Sequence, residues 1–125
     1  MLTLLIVDDS PYGRLVIEAM LVKTNFNFIF AVDGKDAFEK AVAHKPDIII
    51  LDIMMPLYDG IQVTQMIREH SEIGKTPILI ATALGDDDTR NRALKAGANE
   101  LIVKPLTKVQ IQREVDKLVN RIHDK

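Results

Sequence analysis

Four consecutive apolar residues, Ile48 to Leu51, run directly into a carboxylate, Asp52. A run so short and so rich in Ile, fenced by Asp47 and Asp52, reads as a β-strand buried on both faces. Covering both faces takes helices on either side of a sheet. After Asp52 come Met54, Met55, Pro56 and the pair Asp59-Gly60, whose turn chemistry cannot continue a strand. The chain thus places an acid at the end of a rigid element, at the mouth of a loop. A lone carboxylate there could merely end the strand, so the question is how the other strands end.

Leu2 to Val7 is β-prone and stops at Asp8-Asp9, after which Ser10-Pro11 offers an N-cap and a first helical residue for a helix to about Thr24. Phe26 to Val32 reads as a second strand closed by Asp33-Gly34, and Ala37, Phe38, Ala41 and Val42 recur at helical spacing until Lys45-Pro46. Val63, Met66 and Ile67 mark a third helix, which Gly74 and Pro77 separate from a fourth strand, Ile78 to Thr82. Asp86 to Asp88 opens a fourth helix with small residues Thr89, Ala93 and Ala96 on one face, ending at Gly97. Leu101 to Val103 is the fifth strand, stopped by Lys104-Pro105, and a last amphipathic helix carries Ile111, Val115, Leu118 and Ile122 on one side.

Strand and helix therefore alternate five times, which predicts an α/β fold: a doubly wound five-stranded parallel sheet with helices on both faces. Right-handed crossovers point every strand the same way, so all their C-termini share one rim. Asp8 and Asp9, Asp52, Thr82 and Lys104 fall on that rim, where open α/β sheets bind ligands. The 125 residues fit one domain, 1–125, of a size that can bury a substantial core. A net charge of -2 gives no general attraction to nucleic acid or to an anionic membrane. The absence of Cys excludes a disulfide framework, a thiolate metal site and a thiol nucleophile, and suits a cytoplasmic location. The short apolar start, followed by acids, reads as a first strand and not as a signal peptide or membrane span.

Three carboxylates converging on one point repel each other unless something compensates. A hard divalent cation does so, and oxygen ligation favours Mg²⁺, which takes one or two carboxylates along with water and phosphate oxygens. Lys104 adds a mobile positive charge and Thr82 a hydroxyl, both suited to the oxygens of a transferring phosphoryl group. A carboxylate can itself be the nucleophile, giving an acyl phosphate. Asp52, central among the strands, is best placed for that.

These motifs, Asp8-Asp9, Asp52-Ile53-Met54-Met55-Pro56 with Asp59-Gly60, Thr82-Ala83 and Lys104-Pro105, resemble the receiver domain of two-component response regulators, in order, with the family's spacing and over essentially the whole chain. The resemblance implies a flavodoxin-like sheet of strand order 2-1-3-4-5. It implies that Asp52 accepts a phosphoryl group from a phosphohistidine on a sensor histidine kinase or a histidine phosphotransfer protein. Asp9, Asp52 and the Met54 carbonyl would ligate Mg²⁺, with Asp8 acting mainly through water. Thr82 and the Ala83 backbone would be drawn to the phosphoryl group, Lys104 would pair with it, and the bond to Pro105 would be cis. The phosphorylated form would change its partner-binding face, shifting an existing equilibrium in the fourth helix, fifth strand and fifth helix. A monomer and a phosphorylation-dependent dimer are both compatible with this. One position departs from the pattern: where the family carries the Tyr or Phe that turns inward on activation, this chain has Leu101, which has no ring to swing.

Such a domain is a signalling switch rather than a turnover enzyme. A haloacid-dehalogenase-type phosphatase combines similar groups but carries a second Asp two residues after the nucleophile, where this chain has Met54. A receiver fold signalling without phosphate would not need the full set of acids, Thr82 and Lys104. Several other features read as structural. Gly74-Lys75-Thr76 lacks the earlier Gly of a phosphate-binding loop and precedes a strand. Asp86 to Asp88 suits a helix N-terminus. His44, His70 and His123 read as solvated helix ends, and Met54 and Met55 as loop and packing residues. Arg90, Arg92 and Lys95 fit a docking patch and an ordinary solvated face equally.

Overall fold

A computed structural model describes residues 1–22 and 25–123. Strands β1 (Thr3–Val7), β2 (Asn27–Ala31), β3 (Ile48–Leu51), β4 (Ile78–Thr82) and β5 (Glu100–Val103) alternate with helices α1 (Pro11–Leu21), α2 (Gly34–His44), α3 (Gly60–Glu69), α4 (Asp87–Ala96) and α5 (Lys108–His123). The strands form one parallel sheet in the order β2-β1-β3-β4-β5. The Lys104-Pro105 peptide is cis. Element boundaries differ from the sequence expectation by a residue or two. Thr24, the expected end of the first helix, lies outside the described residues.

The period-2 geometry of strands sorts the apolar runs into two cores. Leu5, Val7, Ile49, Leu51, Ile78 and Ile80 face one side, where Ala37, Ala41, Val63 and Ile67 of α2 and α3 cover them. Leu4, Ile6, Ile48, Ile50, Leu79 and Ile102 face the other, against Ile17 and Leu21 of α1 and Ile111, Val115 and Leu118 of α5. Because both faces are covered, the unbroken Ile48–Leu51 run is fully buried.

Local chemistry starts the helices where the sequence suggested. Ser10 caps α1, with Pro11 in its first turn and the Ser10 side chain accepting from the Gly13 N–H. Asp59 and Gln62 form a reciprocal capping box at α3. Asp86 caps α4 by accepting from the Thr89 N–H at 3.0 Å and the Thr89 hydroxyl at 2.7 Å. The Gly74-Lys75-Thr76 triplet lies in the turn before β4.

Two of the surface residues also make specific contacts. The His70 ring meets Phe38 edge to face at 6.0 Å, and its Nδ1 accepts from the Glu72 N–H at 3.1 Å. Arg90 pairs with Glu100 and donates to the Leu101 carbonyl at 3.0 Å. In both cases the partner is remote in sequence or is a backbone atom.

Candidate functional site

Strand register brings the site together. Val7 pairs with Leu51 across β1 and β3, so the residues that follow, Asp8 and Asp52, leave the sheet side by side. The Asp52 N–H continues the ladder by donating to the Val7 carbonyl at 3.2 Å. Thr82 pairs with Val103 across β4 and β5, and the Lys104 N–H donates to the Thr82 carbonyl at 2.8 Å. Lys104 is thereby set at the same rim, across β4 from the acids.

Its ammonium reaches both carboxylates, lying 2.8 Å from Asp52 Oδ2 and 3.0 Å from Asp8 Oδ2. The other oxygen of each acid is held by backbone: Asp8 Oδ1 accepts from the Ser10 N–H at 2.9 Å and Asp52 Oδ1 from the Met54 N–H at 3.1 Å. Asp8 is 2% exposed, Asp52 9% and Thr82 0%. Buried carboxylates this close need a counter-charge, and Lys104 supplies it. Burial pulls the Lys104 ammonium toward losing its proton, but hydrogen bonds from it to Asp52 and Asp8, and their charges, together outweigh that pull. Its pKa is therefore raised above the ordinary lysine value.

The cluster differs from the three converging carboxylates expected from sequence. It consists of two carboxylates joined by an ammonium, with Asp9 exposed beside it. No group of three or more His, Asp or Glu side chains among the described residues is gathered tightly enough to hold a metal ion. The Lys104 ammonium lies between the Asp8 and Asp52 carboxylates and offsets their repulsion. The donor chemistry nonetheless suits a hard divalent ion, since the acids and the adjacent carbonyls offer oxygen alone.

Thr82 and Leu101 are placed differently from the acids. The Thr82 hydroxyl accepts from the Leu84 N–H at 3.3 Å, which closes the turn after β4, while Ala83 is exposed. Leu101 is only 2% exposed and packs into the core beneath α4. It therefore already occupies an inward position.

Gly13 is a site residue that sequence reasoning did not single out. A Cβ there would lie 2.3 Å from Asp8 Oδ2, so only glycine lets α1 pass this close to the carboxylate. The available signal was a glycine inside a helical segment, which costs stability and so invites a packing reason. Arg14, one residue on, donates to the Asp8 carbonyl at 2.6 Å. Beside the acids, a cleft of about 460 Å³ between α1 and the loop after β5 is lined by Tyr12, Val16, Met20, Pro105 and Leu106, and opens onto Asp8 and Lys104.

A parallel five-stranded sheet with an acid pair, a threonine and a lysine on one rim defines a class, and comparison with known proteins agrees. The chain belongs to the response regulator receiver domain family, whose family model matches residues 4–116; domains of this kind act as phosphorylation-based signalling switches. Over 118 residues it is 36% identical to the transcriptional regulatory protein SrrA of Staphylococcus aureus, covering 94% of this chain and 48% of that protein. The chain thus spans about half the length of that relative. Among solved structures, the receiver domain of the sensor histidine kinase PA1611 from Pseudomonas aeruginosa, which has a magnesium ion coordinated in its active-site cleft, superposes with a TM-score of 0.87 at 30% identity, covering 95% of this chain and 98% of that one. CheY in the CheX-CheY-BeF3-Mg complex from Borrelia burgdorferi gives 0.88 at 32% identity, covering 94% and 89%.

Proposed function

We propose that Asp52 is the phosphoryl acceptor of a single receiver unit spanning residues 1–125, and that the donor is a phosphohistidine on a sensor histidine kinase or a histidine phosphotransfer protein. The observation that carries this reading is the Lys104 ammonium bridging Asp52 and Asp8 at the sheet rim. An Asp52 carboxylate oxygen attacks phosphorus, the P–N bond breaks, and its electron pair returns to the imidazole nitrogen. Lys104 is already at Asp52 Oδ2, so it can follow the negative charge from the carboxylate onto the phosphoryl oxygens without crossing the site. The Met54 N–H, which donates to Asp52 Oδ1, keeps the carboxylate oriented. Mg²⁺ held by Asp9, Asp52 and the Met54 carbonyl, with Asp8 acting through water, would neutralise charge on those same oxygens.

The Thr82 hydroxyl, which accepts from the Leu84 N–H and keeps its own O–H free to donate, and the Ala83 N–H then bind the phosphoryl group and draw the turn after β4 toward it. That movement turns a local charge into a change of surface. The reading makes the chain a switch that assists its own phosphorylation and not a turnover enzyme. Met54, where a haloacid-dehalogenase-type phosphatase places its acid catalyst, is an exposed thioether and cannot donate a proton to a leaving group. No helix among the described residues is long and apolar enough to cross a membrane, which is compatible with a cytoplasmic site of action.

The test is labelling with acetyl phosphate, with and without Mg²⁺, followed by mass spectrometry. A single acid-labile phosphoryl group on Asp52 that requires Mg²⁺ and is absent in Asp52→Asn is the expected result. Sustained hydrolysis of a small phosphate ester, or labelling elsewhere, would overturn the reading.

A further inference from the structure

The residues that helix α4 buries are small, Thr89 and Ala93, so large apolar side chains contribute little to fixing its position. Two arginines do more. Arg68 of α3 donates from Nε to the carbonyl of Gly97, the C-cap of α4, at 2.9 Å, and also to the Gly74 and Thr76 carbonyls and to Asn99 Oδ1 at 3.2, 2.6 and 3.1 Å. Gly97 has φ +115°, and a Cβ there would lie 2.7 Å from Arg68 Cγ, so that end of the helix is clamped closely. Nearer the other end, Arg90 pairs with Glu100 of β5 and donates to the Leu101 carbonyl, and Glu100 in turn accepts from the Leu101 N–H at 2.9 Å.

The N-terminal end of α4 connects through the exposed stretch 83–86 to Thr82. We propose that α4 is a lever with its pivot at the Arg68–Gly97 clamp, and that the Arg90–Glu100 pair is the latch holding it in the resting position, in place of an aromatic switch at Leu101. The proposal rests on the reading of Asp52 as the phosphoryl acceptor. At 1.5 Å per residue, Arg90 stands roughly 10 Å from the pivot and Asp86 roughly 16 Å. Drawing Thr82 toward a phosphoryl group therefore moves Arg90 by about two thirds of the displacement at the cap. Leu101 stays inward in both positions, since it is already buried. The change at the surface is the separation of a guanidinium from a carboxylate.

Coupling of this kind is reciprocal: a contact made only in the resting position must weaken phosphoryl-site occupancy, and removing it must strengthen it. The probe is beryllofluoride with Mg²⁺, titrated by amide NMR into the wild-type chain, Arg90→Ala, Glu100→Gln and, as a control on the same helix, Lys95→Ala. Without the probe, α4 and β5 amides of Arg90→Ala and Glu100→Gln should shift along the line joining free and loaded wild type. Their half-saturating beryllofluoride concentration should fall about two- to fivefold, the range set by a partly exposed ion pair. Lys95→Ala should match wild type in both readouts. Wild-type positions and wild-type half-saturation in both latch variants, or the same change in Lys95→Ala, would overturn the latch while leaving Asp52 as acceptor. A wild-type chain that binds no beryllofluoride would overturn both.

Discussion

Lys104 holds two acids at once, and that fixes how the site should respond to pH. Its pKa is raised in the folded chain, so the stability gained from its contacts is complete below the unfolded value. It is lost as pH climbs through the higher folded value. The loss therefore belongs above the ordinary lysine value of 10.5, on the alkaline side. In thermal melts followed by circular dichroism, the wild-type chain should lose melting temperature more steeply above that pH than Lys104→Met does. Equal slopes would mean that the ammonium contributes little, as partly exposed pairs often do. This contact was only half legible in the sequence. Lys104 and the acids could be assigned to one rim from the alternation of elements, but that the lysine sits between Asp8 and Asp52, leaving Asp9 outside, depends on side-chain geometry that no spacing encodes.

At the scale of elements, the sequence announced what short-range chemistry determines. Ser10-Pro11 and Asp86 begin α1 and α4 where the sequence placed them, because a side-chain oxygen a few residues away satisfies an otherwise unpaired N–H; Asp59, read from sequence only as part of a turn, does the same for α3 with Gln62. Replacing Asp59 by Ala should therefore cost about 1 kcal/mol, read as a lower urea midpoint at unchanged slope. Arg68 was not legible for the opposite reason. Three of its acceptors are backbone carbonyls, at Gly74, Thr76 and Gly97, and every residue type carries one. Its burial, which lowers its pKa, comes from elements that meet only after folding. On a helix with apolar positions at Val63 and Ile67, it reads simply as a polar-face residue.

At the scale of the whole molecule, the Ile48–Leu51 run was the most informative feature, because a strand buried on both faces permits few architectures. The strand order came from family resemblance, since periodicity alone does not rank neighbours in a parallel sheet. Ile50 is fully buried in the core under α1 and α5, and Ile50→Ala should cost about 2–5 kcal/mol, measured by urea unfolding. A smaller loss would mean that the α1 and α5 layer closes over the gap. The order β2-β1-β3-β4-β5 also separates tasks across the sheet. The acids sit on the two strands β1 and β3, which neighbours on both sides immobilise, while Thr82, Arg90 and Glu100 lie toward the β5 margin. The opposite margin, β2 with α2, carries neither. Dyes or short inserted peptides attached there, for example at exposed Glu39, should be tolerated silently, which makes that side the natural handle for immobilising the protein while its far side works.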